Sequence, residues 1–221
     1  MAVGGGGMTP LHIVCQLVTG AVLPSEGCLH LDGLIAAAWC MREDITATSA
    51  AELIDVEIPV QRSACGRYHL ASALLYQSEQ RELRYTNKRF PTDHALAFGD
   101  AKLKRVSMSS GVQKAFRIPS ERTHLVHDRL EAWCIGEREA ITDLLGVVTR
   151  VGRRRSAGEG LVRAWTIEEC EPWGPGFPVV RDGAPMRNLP ADDSLAGGRR
   201  YGRLTYPYWL RTDEQEIACP I

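Results

Sequence analysis

The chain has 221 residues, 44% hydrophobic and 24% charged, with a formal net charge of −1. That is long enough to bury a core without help from metals or disulfides, and no apolar run approaches the roughly 20 residues that span a bilayer. No membrane segment is therefore expected, and the location expected is cytoplasmic. Seven cysteines (Cys15, Cys28, Cys40, Cys65, Cys134, Cys170 and Cys219) stand at wide spacing with no C-x-x-C pair, the pattern of reduced thiols. Cys28 and His30 have no partner half for a four-ligand zinc site, so neither metal nor cofactor is expected.

In chain order, the glycine tract of residues 1–10 lacks the basic and apolar regions of a signal peptide and is expected as a disordered leader. Residues 11–22 are β-branched, apolar and partly alternating, which predicts a strand. A helix follows over "LHLDGLIAAAWCMRE", with Asp32 as N-cap and Leu34, Ile35, Ala38, Trp39 and Met41 on its apolar face. Residues 53–61 and 67–77 read as strands. The stretch 78–118 is polar, basic and interrupted by Pro91, Gly99 and Gly111, which predicts an extended hairpin or arm. Residues 123–136 alternate and read as one strand, and "EREAITDLLGVVTRVG" as a helix. A turn rich in arginine and glycine then leads into a strand over 161–170. From residue 171 onward proline and glycine break regular structure, although residues 199–210 read as a final strand anchored by Tyr206, Tyr208 and Trp209.

Two strand–helix–strand units emerge from this order. Such units pack as a ferredoxin-like α+β sandwich, with helices on one face of an antiparallel sheet. The expected organisation is a core over 11–170, a basic arm inserted at about 78–118 and a C-terminal extension over 171–221.

The near-zero net charge hides segregation. Residues 102–117 carry Lys102, Lys104, Arg105, Lys114 and Arg117 and no acid, and residues 150–163 carry five arginines against Glu159. Segregated charge makes a local field that the sum does not report. Within "RVGRRRSAGEG", Gly152, Gly158 and Gly160 bring backbone N–H groups to a ligand, while Arg150, Arg153, Arg154 and Arg155, with Ser156, offer contacts to phosphate oxygens. No G-K-[ST] makes this a nucleotide-hydrolase loop. It also closes a helix and opens a strand, the reverse of a dinucleotide fingerprint. The expected ligand is a sugar-phosphate backbone held with little sequence readout. Tyr85, Phe90, Phe98 and Phe116 in or beside the arm either stack on bases or form the arm's own core. Trp39, Trp133 and Trp165 belong to the body.

The segments "LHLDGLIAAAW", "LVHDRLEAWCIGEREAITDLLG" and "VGRRRSAGEGLVRAW" together resemble the RAMP superfamily of CRISPR-associated proteins, and within it the small backbone subunit of type IV effectors. The resemblance covers about residues 11–60 and 120–190. It implies a subunit that caps the 5′ end of a guide RNA, with residues 152–160 against the 5′ handle. The implied partners are that RNA, other effector subunits and target DNA near the guide's 5′ end. Arg150, Gly152, Arg153, Arg154, Arg155, Ser156, Gly158 and Gly160, with Lys102, Lys104, Arg105 and Lys114 of the arm, are the expected RNA contacts, and no catalytic residue is expected. Two other readings stand beside this one. A metal-independent endoribonuclease would use His69 or His127 with Tyr68 or a lysine, since His124 and His127 point to opposite faces of a strand. A plain protein-interaction module would leave the charges solvated.

Overall fold

The computed structural model describes residues 7–23, 28–45, 56–88, 116–125, 128–208 and 213–220. Its elements are β1 (Thr9–Leu17), α1 (Leu31–Arg42), β2 (Ser78–Lys88), β3 (Phe116–Leu125), β4 (Arg129–Gly136), α2 (Arg138–Gly146) and β5 (Val162–Glu169), followed by short strands. These are β6 (Val180–Arg181), β7 (Ala184–Pro185), β8 (Leu189–Pro190), β9 (Gly198–Gly202) and β10 (Gln215–Cys219). The strands are mostly antiparallel and the chain is of the mixed α/β kind.

Alternation sets the central sheet. Leu11, Ile13, Cys15 and Leu17 of β1 are buried, as are Leu130, Ala132 and Cys134 of β4, while the residues between them face the other side. β1 lies between β4 and β5, antiparallel to both. The register sets Ile13 opposite Ala132 on one side and Ile167 on the other, so three buried side chains share one row. Leu31, Leu34, Ile35 and Ala38 of α1 and Ile141, Leu144 and Leu145 of α2 complete that same core.

Several expectations change. β1 begins at Thr9 and ends at Leu17, earlier at both ends than the apolar run suggests. Asp32 is not the N-cap: His30 takes that place without a side-chain cap bond, and Asp32 is fully buried in the first turn. Met41 is exposed and Trp39 only partly buried, because the buried face of α1 turns through Leu31, Leu34, Ile35 and Ala38. Residues 56–61 and 67–77 form no continuous strand. Ala71 bridges Cys134 and Leu75 bridges Glu131, giving β4 an irregular antiparallel edge. Neighbouring groups are drawn elsewhere, Leu31 N to Ser72 O (3.2 Å), Leu74 N to Leu29 O (2.8 Å) and Ala73 N to Met186 O (2.7 Å), which interrupts the ladder.

The single strand expected over 123–136 is two, β3 and β4, with Asp128 at φ +48° between them. The second helix stops at Gly146 rather than near 152, because Thr149 and Arg150 pair back with Val162 and Leu161. β2 and β3 form the expected antiparallel hairpin, from Ser78↔Leu125 to Lys88↔Phe116. Tyr85 is exposed on it. Lys102, Lys104, Arg105 and Lys114, with Phe90 and Phe98, lie outside the described residues, as do residues 1–6, His127 and Trp209.

Beyond β5 the extension does two things. β8, β10 and β9 make a small sheet, and Trp173 and Arg181, with Phe177 against Trp173, pack on Trp133 at the outer face of the main one. The Trp173 ring meets Trp133 edge-on at 5.6 Å and Phe177 at 4.5 Å, and the Arg181 guanidinium lies over both tryptophans. All seven thiols are free. Among the described residues no helix is long and apolar enough to cross a membrane, and no group of three or more metal-binding side chains gathers.

Candidate nucleic-acid interface

The loop from Arg150 to Gly160 is a closed turn seated on the segment that follows β1. At its base Arg150 bridges Leu161, and Val151 N donates to Gly160 O at 2.9 Å. Toward residues 18–22, Arg153 N donates to Val22 O (2.7 Å) and Gly160 N to Gly20 O (3.0 Å). The Thr19 hydroxyl donates to Gly158 O at 3.1 Å and accepts from Leu161 N at 3.0 Å. Gly152, Arg154, Gly158 and Gly160 all have positive φ, and residues 155–157 make one short 3-10 turn. A Cβ on Gly160 would sit 1.9 Å from Val151 O, so that glycine is required by the protein's own backbone, whereas Gly158 at φ +90° faces open space.

The predicted side chains divide accordingly. Arg153, Arg155 and Ser156 are exposed, together with Arg163 just beyond the loop. Arg154 is half-buried and already engaged in an interaction, as is Glu159, the one acid of the loop. Arg150 is half-buried, and its Nη1 is buried with no hydrogen-bond partner among the described residues.

Two clefts flank Arg150 and Arg155, which line both. One, of about 470 Å³, runs along α1 past Gly33, Ala36 and Ala37 to Tyr206, Pro207 and Tyr208. The other, of about 340 Å³, includes Met41, Val147 and Ser156. Among the described residues neither is lined by a carboxylate. On another side of α1 a third cleft of about 600 Å³ carries Glu57, Glu137, Glu139 and Asp143 against Arg42. Charge is therefore segregated in space as well as in sequence.

The wall of the 470 Å³ cleft rests on a buried polar cluster. Arg187, with no exposed surface, donates from Nη2 to Asp32 Oδ2 (3.2 Å), to Tyr208 Oη (2.7 Å) and to Leu204 O, and from Nη1 to His69 O and Ala71 O (3.1 Å). Tyr208 Oη donates to the Asp32 carboxylate at 2.9 Å. One guanidinium thus joins α1, the irregular edge and the C-terminal extension. Burial pushes the Asp32 carboxyl up, but the Arg187 cation and the neighbouring His69 and His30 rings outweigh it and hold the group well below the usual carboxylate range. His30 stacks on the Tyr208 ring at 4.0 Å. Burial, reinforced by Arg187, pushes its pKa down to about 3, so the imidazole is neutral at pH 7. Burial raises the Cys28 thiol on the same wall to about 11, which keeps it neutral too.

His69, a candidate acid–base residue, is 2% exposed. Its ring stacks on Tyr206 at 5.6 Å, and Nδ1 stands 3.6 Å from Asp32 Oδ2. Tyr68 beside it carries Arg187 over its ring. Sequence reading missed the parts of the cleft that come from far apart. His30 stood out only as half of a rejected zinc pair, Asp32 as a cap and Tyr208 as an anchor, while nothing distinguished Arg187 from a surface arginine.

No protein of curated function matches the chain. The arginine turn between α2 and β5 and the two strand–helix units before it fall within a match of residues 9–220 to the family model described as CRISPR type IV associated protein Csf3, and the chain belongs to that family, which makes it a type IV CRISPR-associated subunit.

Proposed function

We propose that the chain is a non-catalytic RNA-binding subunit of the type IV effector complex, gripping the 5′ handle of the guide RNA through residues 150–160. The observation that carries this reading is the loop itself. Its backbone is bonded down along residues 18–22 while Arg153 and Arg155 stand exposed at its surface, so little ordering cost accompanies phosphate contact. Among the described residues no carboxylate lines the flanking clefts to oppose that contact.

The topology supports a ferredoxin-like core of the RAMP kind. Along the chain run β1, α1, the edge at residues 70–75, β4, α2 and β5, and across the sheet β5, β1, β4 and that edge, all neighbours antiparallel. On the sheet's outer face Trp173 and Arg181 pack on Trp133, so that strand aromatic offers no open ring for base stacking, and on this reading the loop carries the RNA contact. On this reading the basic stretch 102–114 adds a contact to RNA, to neighbouring subunits or to target DNA near the guide's 5′ end.

Sequencing of RNA copurified with the protein tests the ligand, and species sharing one 5′ end are expected. For the loop, Arg153→Ala with Arg155→Ala lowers the slope of log affinity against log salt by about 1.4, two single-strand phosphate contacts at about 0.7 each. Fluorescence anisotropy over a salt series with that RNA measures it. An unchanged slope overturns the phosphate grip.

A further inference from the structure

In the 470 Å³ cleft two polar groups are left without partners. His30 is 3% exposed, yet neither ring nitrogen makes a hydrogen bond among the described residues. The Asn188 amide is close enough to affect the ring's proton affinity, but it already donates to Arg203 O (2.9 Å) and accepts from Arg200 (3.0 Å). Arg150 Nη1, at the loop side of the same cleft, is also buried and has no partner among the described residues. Buried polar groups are ordinarily satisfied, and each exception calls for a reason.

The chemistry of the walls defines what would satisfy both. A neutral imidazole presents one donor and one acceptor. Ala36 and Ala37 leave the wall of α1 low enough for a flat ring to lie against it, and Tyr208, whose ring already packs over Gly33, adds an aromatic neighbour. Arg150 and Arg155 place positive charge at the other end. An aliphatic ligand would leave His30 and Arg150 unpaired, and a bare anion would leave the apolar wall exposed. A planar heterocycle with a hydrogen-bonding edge and an attached phosphate matches all of these, and the volume lies within the range of small-ligand sites.

We infer that this cleft takes a single nucleoside monophosphate unit, its base against α1 and beside His30 and its phosphate toward Arg150 and Arg155. Its source is one unstacked residue of the bound RNA, in which case it rests on the function proposed above, or a free mononucleotide.

The probes are the four nucleoside 5′-monophosphates and a synthetic copy of the 5′ end of the copurified RNA with an abasic residue placed at each position in turn. With wild-type protein, one abasic position is expected to weaken binding about tenfold while the others do little, the scale of one lost base–aromatic contact. Ala37→Leu, which fills the cleft from a half-buried helical position, is expected to erase that position dependence and leave the salt slope intact. His30→Phe keeps the stacking ring and should relax the preference among bases.

Binding of a mononucleotide that Ala37→Leu abolishes, with no RNA bound by the wild type, would support the cleft and sink the guide-RNA reading. RNA bound with a steep salt slope, a flat abasic profile and no mononucleotide binding would overturn the cleft and leave the guide-RNA reading standing. The abasic scan uses wild-type protein, so it decides even if a variant fails to fold.

Discussion

Gly158 and Gly160 sit two residues apart in one loop and do different work. Both have positive φ, but an added Cβ at Gly160 collides with Val151 O, whereas at Gly158 it meets nothing within 4 Å. Gly158→Ala should therefore cost about 1 kcal/mol, the backbone preference alone. Gly160→Ala should cost about 3 kcal/mol or more, because a backbone contact has to move. Urea midpoints of the two variants measure the difference, and equal losses would mean that the hairpin base does not hold its observed form. The sequence marks both glycines as turn residues. It does not say which is pressed against another strand, since Val151 and Gly160 meet only when the loop closes.

Among the elements, the β2–β3 hairpin is the most separable. Its register sets Lys88 opposite Phe116, so residues 89–115 can be replaced by Asn-Gly, whose two-residue turn suits an antiparallel hairpin. The shortened chain is expected to keep its melting temperature within a few degrees, because among the described residues β2 and β3 pair only with each other. It is expected to lose affinity for RNA or for other effector subunits, with Lys102, Lys104, Arg105 and Lys114 removed. A large fall in melting temperature by calorimetry would instead make the segment part of the fold. The hairpin was legible in the sequence from its polar composition. The break between β3 and β4 was not, because alternation continues through residues 123–136 and the turn at Asp128 carries no glycine or proline.

At the scale of the molecule, α1 separates two kinds of surface, a cationic side at the arginine loop and an acidic cleft at Glu57, Glu137, Glu139 and Asp143. The buried cluster beneath couples stability to pH. The unfolded chain takes up the His30 proton below about 6.5, whereas the native ring resists down to about 3. Between those values unfolding binds a proton, so native stability falls on acidification, by at most about 1.4 kcal/mol per pH unit. Asp32 acts with the same sign at lower pH. Its carboxylate is held ionised in the native state, so its contribution is present above its unfolded value of 3.8 and is lost as pH falls through the depressed native value. Urea midpoints of wild type and His30→Phe between about pH 4 and 7 should diverge, the variant being the flatter. Parallel curves would place the acid sensitivity elsewhere.

The sequence by itself determined the two strand–helix units, the position of the arginine turn and the hairpin. Each follows from patterns within a few residues of one another, periodicity, charge and glycine spacing, which local backbone geometry converts directly into structure. Tertiary structure alone decided that Arg187 is buried, that Asp32 bonds to it rather than capping a helix, and that His30, Arg150 and Tyr208 meet around one cleft. Those side chains lie far apart along the chain, and the desolvation that makes each consequential arises only when α1, the loop and the C-terminal extension exclude water together.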